Sequence, residues 1–149
     1  MDIRHIVCPV DFSAVSDESV EYALTLATRL GARVDIIHVY QLPMYALPDG
    51  ALLSGPDVAL RLSDELQKQL DARVERWQEH GVPLTAHLIE GLPFSEICKF
   101  AEENQADLIV MGSHGRTGLQ HLLLGSVAER VVRTATVPVL TVRRPTPED

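Results

Sequence analysis

Short runs rich in apolar residues alternate in this chain with longer segments whose apolar residues recur at helical spacing, and this alternation limits the fold more than any other feature. The runs cover residues 6–10, 33–40, 84–90, 108–111 and 138–142. A strand of a parallel sheet is apolar throughout, because helices cover both of its faces. The uninterrupted run at 108–111 therefore fits a central strand. The partly alternating run at 84–90 and the run that begins with Pro138 fit edge strands.

Amphipathic segments connect these runs. The first has an apolar stripe just before Gly31, a residue typical of the left-handed C-cap of a helix. The members of this stripe are Val20, Ala23, Leu24, Ala27 and Leu30. Further helices are predicted over residues 57–80, over residues 94–105 and from Ser126 onward. Residues 41–56 are interpreted as a long loop, and such loops serve as lids, partner surfaces or flexible segments, alternatives that the sequence leaves open.

The order of elements is βαβαβαβαβ, without a repeat or a linker, and predicts a single domain over residues 1–149. Because parallel crossovers are right-handed, the economical α/β fold is a doubly wound, five-stranded parallel sheet with helices on both faces, as in Rossmann-like folds. Ligands of such sheets bind beyond the carboxyl ends of the strands, where the strand order reverses. With the order 3-2-1-4-5, that point lies between the first and fourth strands, and its loops begin at Asp11 and Gly112.

Charge and composition argue against several classes of protein. The formal net charge is -8 and the basic residues are scattered, so the chain lacks the basic face that attracts nucleic acids. No apolar stretch approaches the ~18 residues of a membrane span, and no signal-like segment opens the chain, so we expect a cytoplasmic protein. Cys8 and Cys98 match no zinc-binding pattern and are interpreted as buried thiols. The histidines show no metal-ligand spacing either, so no metal site built from protein ligands alone is predicted.

The segment after the fourth strand carries the strongest sign of function. Gly112 and Gly115 would let a ligand approach the backbone without a Cβ in the way. Gly125 and Ser126 stand at the start of the last helix, where free N–H groups and the positive end of the helix dipole favour a phosphate. A structural explanation is also open, because glycines suit loops and Ser126 and Glu129 match a capping box. The phosphate motifs G-x-x-x-x-G-K-[ST] and G-x-G-x-x-G are absent from the sequence.

These residues also carry a family resemblance. The spacing Gly112-x2-Gly115-x9-Gly125-Ser126, with Pro9-Val10-Asp11-Phe12-Ser13 near the start and Val-Pro-Val-Leu near the end, resembles the universal stress protein family, specifically its ATP-binding branch. The resemblance covers essentially the whole chain and implies a site for ATP, alone or with Mg²⁺. It places Pro9, Val10, Asp11 and Val39 around the adenine, Met111 and Gly112 near the nucleoside, and His114, Gly115, Gly125, Ser126 and Val127 along the phosphates.

Three side chains near this site have alternative interpretations. Asp11 would contact the nucleoside or help to hold Mg²⁺, or it would only cap the turn before the first helix. His114 would bond a phosphate, or lie exposed in the loop without a role. Arg116 would fold over the phosphates or point into solvent, and it is left out of the predicted site. No catalytic residue is predicted.

Two functional hypotheses follow. In the first, an adenine nucleotide orders the loops of a stress-response module and changes how it meets a regulatory partner, with negligible turnover. In the second, the same pocket hydrolyses ATP slowly or transfers a nucleotide; it ranks lower because few of the groups that phosphoryl transfer needs are present. The glycines disfavour a third reading, a scaffold with an empty pocket. Residues 137–142 form an exposed edge, which the resemblance pairs across a two-fold axis in a homodimer; a tetramer would use the long loop.

Overall fold

The computed structural model describes residues 2–49, 52–53, 55–114 and 124–143. The strands are β1 (His5–Pro9), β2 (Arg33–Tyr40), β3 (Tyr45–Ala46), β4 (Leu52–Leu53), β5 (Leu84–Glu90), β6 (Leu108–Gly112) and β7 (Val139–Val142). The helices are α1 (Ala14–Leu30), α2 (Pro56–Gln78), α3 (Pro93–Glu103) and α4 (Ser126–Thr134). None of these helices is long and apolar enough to cross a lipid bilayer.

The five longer strands form one parallel sheet in the order β5-β2-β1-β6-β7. Counted along the predicted strands, this is the order 3-2-1-4-5, so the doubly wound topology is confirmed. β5 and β7 lie at the edges, as the alternation in one run and the proline in the other predicted. The antiparallel pair β3–β4 lies inside the segment interpreted as a loop. Strands of two residues are too short to show a period in the sequence.

Helices cover both faces of the sheet. On one face, Leu24 of α1 and Leu70 and Trp77 of α2 are fully buried. On the other face, Ile97 of α3 and Val131 of α4 pack into a second apolar core. The interior strand β6 is buried from both sides, which explains why its run at 108–111 is apolar without interruption.

Two predictions of burial are wrong. Leu30, expected to complete the stripe of α1, is 45% exposed. It is the last residue of α1, and Gly31 turns the chain with a φ of +66°, the predicted left-handed C-cap. Cys98 is half-buried, whereas Cys8 is fully buried as predicted. Cys98 follows Ile97 in α3, so it is rotated by about 100° from the centre of the buried face.

Candidate functional site

A cleft of about 230 Å³ opens beyond the carboxyl ends of β1 and β6, where the strand order reverses. The two strands are parallel, so the loops that follow them leave from the same edge of the sheet. Gly115 of the predicted site lies outside the described residues, and so does Arg116, which was left out of that site. All the other predicted site residues line this cleft: Pro9, Val10, Asp11, Val39, Met111, Gly112, His114, Gly125, Ser126 and Val127.

The cleft also has lining residues that the sequence analysis did not assign, namely Ser16, Pro93, Ile97 and Ala128. Except for Ile97, in the second turn of α3, they lie in the first turns of α1, α3 and α4. In a doubly wound fold each helix begins at the carboxyl edge of the sheet, which is the edge that binds ligands. The predicted helix starts were therefore the signal that would have found most of these residues.

The turn between β1 and α1 is held by hydrogen bonds around Asp11. Ser13 is the N-cap of α1, and its Oγ accepts a hydrogen bond from the Ser16 N–H at 3.2 Å. Asp11 Oδ1 accepts from the Ser13 N–H at 3.0 Å and from the Ser13 hydroxyl. The Asp11 N–H donates to Ser16 Oγ at 3.3 Å. Asp11 therefore supports the start of α1 and lines the cleft at the same time.

The first turn of α4 faces the cleft without a side-chain cap. Its N-cap is Gly125, whose N–H donates to the Ser113 carbonyl at 2.6 Å and so ties the start of α4 to the end of β6. The predicted capping box is wrong, because Ser126 is the first residue inside the helix and a box needs the serine at the N-cap. Intrahelical bonding starts with the Glu129 N–H, which donates to the Gly125 carbonyl at 2.9 Å. The N–H groups of Ser126, Val127 and Ala128 therefore have no partner within the helix, and these residues line the cleft at the positive end of the helix dipole.

Gly112 lines the cleft, but its missing side chain serves helix packing. A Cβ at this position would lie 2.9 Å from Val15 Cγ1 and 3.3 Å from the carbonyl oxygen of His114. Such distances are shorter than the 3.5–4.0 Å or so at which carbon atoms pack favourably. The start of α1 therefore passes too close to β6 for a side chain, which is a reason for a glycine here beside the predicted approach of a ligand.

Ionisable side chains are sparse in the described lining, where they are Asp11 and His114. His114 is half-buried, and its Nδ1 lies 2.9 Å from the hydroxyl of the buried Ser113. Since the described lining contains no lysine or arginine, its positive potential comes from the helix starts that line it, among them the start of α4. Across all described residues, no group of three or more His, Cys, Asp or Glu side chains is placed to hold a metal ion.

Comparison with known proteins identifies the family. The family model described as "Universal stress protein family" matches residues 2–143. The chain belongs to the universal stress protein family. This universal stress protein is 42% identical over 146 residues to universal stress protein MJ0531 of Methanocaldococcus jannaschii. The aligned region covers 97% of this chain and 85% of the relative. The predicted family is thereby confirmed.

Solved structures agree with the fold. Protein MJ0577 of the same organism matches this universal stress protein with a TM-score of 0.82 at 25% identity, over 98% of this chain and 99% of that one. A universal stress protein of Archaeoglobus fulgidus, solved in complex with dAMP, matches with a TM-score of 0.66 at 24% identity, over 95% of this chain and 98% of that one.

Proposed function

We propose that this universal stress protein binds ATP, or a closely related adenine nucleotide, in the cleft beyond β1 and β6, and that binding serves as a regulatory signal in a cytoplasmic stress response. The observation that carries the proposal is the first turn of α4, which faces the cleft without a side-chain cap. The N–H groups of such a turn are a ready site for a phosphate.

The rest of the lining suits a nucleoside. Val10, Val39, Ile97 and Met111 supply apolar surface, and a planar base fits between side chains of this kind. The Archaeoglobus fulgidus relative shares the fold and was solved with an adenine mononucleotide. Adenine in the apolar part and phosphates at α4 is therefore the arrangement that we propose.

A bound nucleotide would bring its own negative charge into a protein of net charge -8. Ser126 adds an exposed hydroxyl to the N–H donors of α4. Asp11 lines the same cleft, and its carboxylate would accept a hydrogen bond from the base or the ribose of the nucleoside. Since the described lining provides no lysine or arginine for the charge that develops in phosphoryl transfer, we propose binding without efficient hydrolysis.

The edge strand β7 is the proposed contact between two copies of the chain. Within the described residues β7 pairs only with β6, and all four of its residues are half-buried. The other side of β7 therefore offers backbone N–H and C=O groups to a further strand. A homodimer built on this edge would give the nucleotide signal a surface through which to reach a regulatory partner.

The first test is to identify any nucleotide released from the purified protein by mass spectrometry, and then to titrate the emptied protein with ATP and with adenosine. Ser126→Pro removes the Ser126 N–H but suits the helix, because proline is favoured at the first helical position and Gly125 already has the extended conformation that precedes proline. We expect Ser126→Pro to weaken ATP binding about tenfold, the effect of losing one charge-assisted hydrogen bond. Adenosine binding should not change.

Ser126→Ala is the matched control, because it removes the hydroxyl but keeps the N–H. It should weaken ATP binding less than Ser126→Pro does. Phosphate release over hours should stay at the level of the protein-free sample. A wild-type protein that binds neither ATP nor adenosine would refute the proposed site.

A further inference from the structure

We infer that Phe12, His38 and Arg73, here called the Phe12 clamp, hold the β1–α1 turn in the shape that the nucleotide site requires. The inference rests on the proposed function and adds positioning residues to it. None of the three lines the cleft in the described structure, yet Phe12 lies between Asp11, which does, and Ser13, the N-cap of α1.

Phe12 has a strained backbone. Its φ is +65°, in the left-handed region where the Cβ of an ordinary residue crowds the neighbouring carbonyl oxygen. A bulky residue stays in such a conformation only where its surroundings enforce it, and strain of this kind is concentrated at ligand sites. The contacts around Phe12 supply that enforcement.

Both the ring and the backbone of Phe12 are held. The ring stacks on His38 with a centroid distance of 4.1 Å and an interplanar angle of 20°. The guanidinium carbon of Arg73 lies 4.6 Å from the ring centroid, a cation–π contact. Arg73 Nη2 also donates to the Phe12 carbonyl at 3.2 Å.

The clamp is anchored on both sides of the turn. His38 is buried in β2, and its Nδ1 donates to the Val10 carbonyl at 2.7 Å, just before the turn. Arg73 Nε donates to Asp17 Oδ1 at 3.1 Å, in the first turn of α1 just after it. Elements far apart in the sequence thus set the path of the chain from Val10 to Asp17.

Loss of the clamp has a consequence that other site variants do not share. Without it, Phe12 would relax toward negative φ and turn Asp11 away from its present place in the cleft. Asp11 belongs to the nucleoside part of the proposed site, whereas the phosphates lie at α4. The clamp should therefore affect adenosine and ATP by the same factor, unlike Ser126→Pro, which should affect ATP alone.

The test compares Arg73→Ala with Arg76→Ala in the full chain, at a temperature where circular dichroism shows each variant folded. Arg76 is a matched control, because its Nη2 lies 3.6 Å from Asp17 Oδ2 and its guanidinium contacts the Trp77 ring rather than Phe12. Arg73→Ala should raise the Kd of both ATP and adenosine about tenfold, since it removes a cation–π contact to Phe12 and the hydrogen bonds to Phe12 and Asp17. Arg76→Ala should change either Kd less than about twofold, as expected for an exposed ion pair.

A second pair of variants tests the backbone directly and does not depend on Arg73. Phe12→Gly and Phe12→Ala both remove the ring, but only glycine adopts a φ near +65° without strain. The glycine variant should bind adenosine more tightly than the alanine variant. The reverse order would overturn the inference.

The remaining outcomes separate this inference from the proposed function. If Arg73→Ala binds both ligands as the wild type does, or weakens ATP alone, the clamp does not position the site, although the nucleotide site itself stands. If the wild type binds neither ATP nor adenosine, the proposed function and the clamp both fail.

Discussion

Replacement of Gly112 by alanine tests the closest approach between α1 and the sheet. The added Cβ would lie 2.9 Å from Val15 Cγ1, 3.3 Å from the His114 carbonyl oxygen and 3.4 Å from the Val15 carbonyl carbon. The φ of Gly112 lies outside the left-handed region, so alanine meets no backbone strain there. The expected cost is therefore steric: the start of α1 must move, or Val15 must leave its rotamer.

Two terms set the magnitude. Overpacking of this kind costs about 1–3 kcal/mol. Alanine also restricts the unfolded chain, which returns about 0.4–1 kcal/mol. We therefore expect Gly112→Ala to lower the free energy of unfolding by about 1–2 kcal/mol. Urea unfolding at neutral pH measures this quantity, with an unchanged m-value showing that the variant still unfolds in one transition.

Val15→Ala identifies the source of the clash. This change removes Cγ1 and alone should cost about 1 kcal/mol, since Val15 is only half-buried. In the double variant the new Cβ has room, so its total loss should be smaller than the sum of the single losses by about 1 kcal/mol. Strict additivity, or a Gly112→Ala variant as stable as the wild type, would refute the explanation that α1 packs against Gly112.

Titratable groups lead to two further predictions. Burial raises the pKa of the Cys8 thiol to about 12, and burial together with the nearby Glu102 charge raises the pKa of Cys98. Iodoacetamide at pH 8, followed by peptide mapping, should therefore label half-exposed Cys98 slowly and Cys8 only in denaturant. Fast labelling of Cys8 in the native protein would contradict its burial. The pKa of Asp107 is lowered, mainly because its carboxylate accepts the Arg4 N–H at 2.9 Å and also the His5 N–H at 3.0 Å. The Asp107 carboxylate stabilises the fold above its unfolded pKa of about 3.9 and loses that effect as pH falls through its folded pKa. Asp107→Asn should therefore have a lower free energy of unfolding in urea than the wild type at pH 7 and the same free energy near pH 2. A difference in this free energy that stays constant with pH would contradict the explanation.

Several elements were predictable because their signals are local. The doubly wound parallel sheet follows from five apolar runs joined by helical segments together with the handedness of crossovers, whereas its strand order is what the family resemblance implied. Gly31 was predicted as a left-handed C-cap, since glycine adopts positive φ without a steric cost. The glycine spacing after the fourth strand led to a set of residues that, as far as they are described, line one cleft.

Other features depend on contacts between distant segments. Val15 lies too close to Gly112 for a side chain there, and nothing in the run at 108–112 indicates this contact. The N-cap of α4 is Gly125 rather than Ser126, one residue before the start that the capping box implies, and the Gly125 N–H donates to the distant Ser113 carbonyl. Phe12 has positive φ because His38 and Arg73 hold it, although its residue type disfavours that conformation.

The sequence by itself determined the five strands of the parallel sheet, the four helices and the edge of the sheet at which the site residues lie. These depend on patterns within a few residues and on the handedness of the chain, which are the same in any context. Only the tertiary structure decided which glycine is required by packing, where α4 begins and how the β1–α1 turn is held. These depend on distances of a few tenths of an ångström between segments far apart in the chain, and such distances exist only once the helices have packed on the sheet.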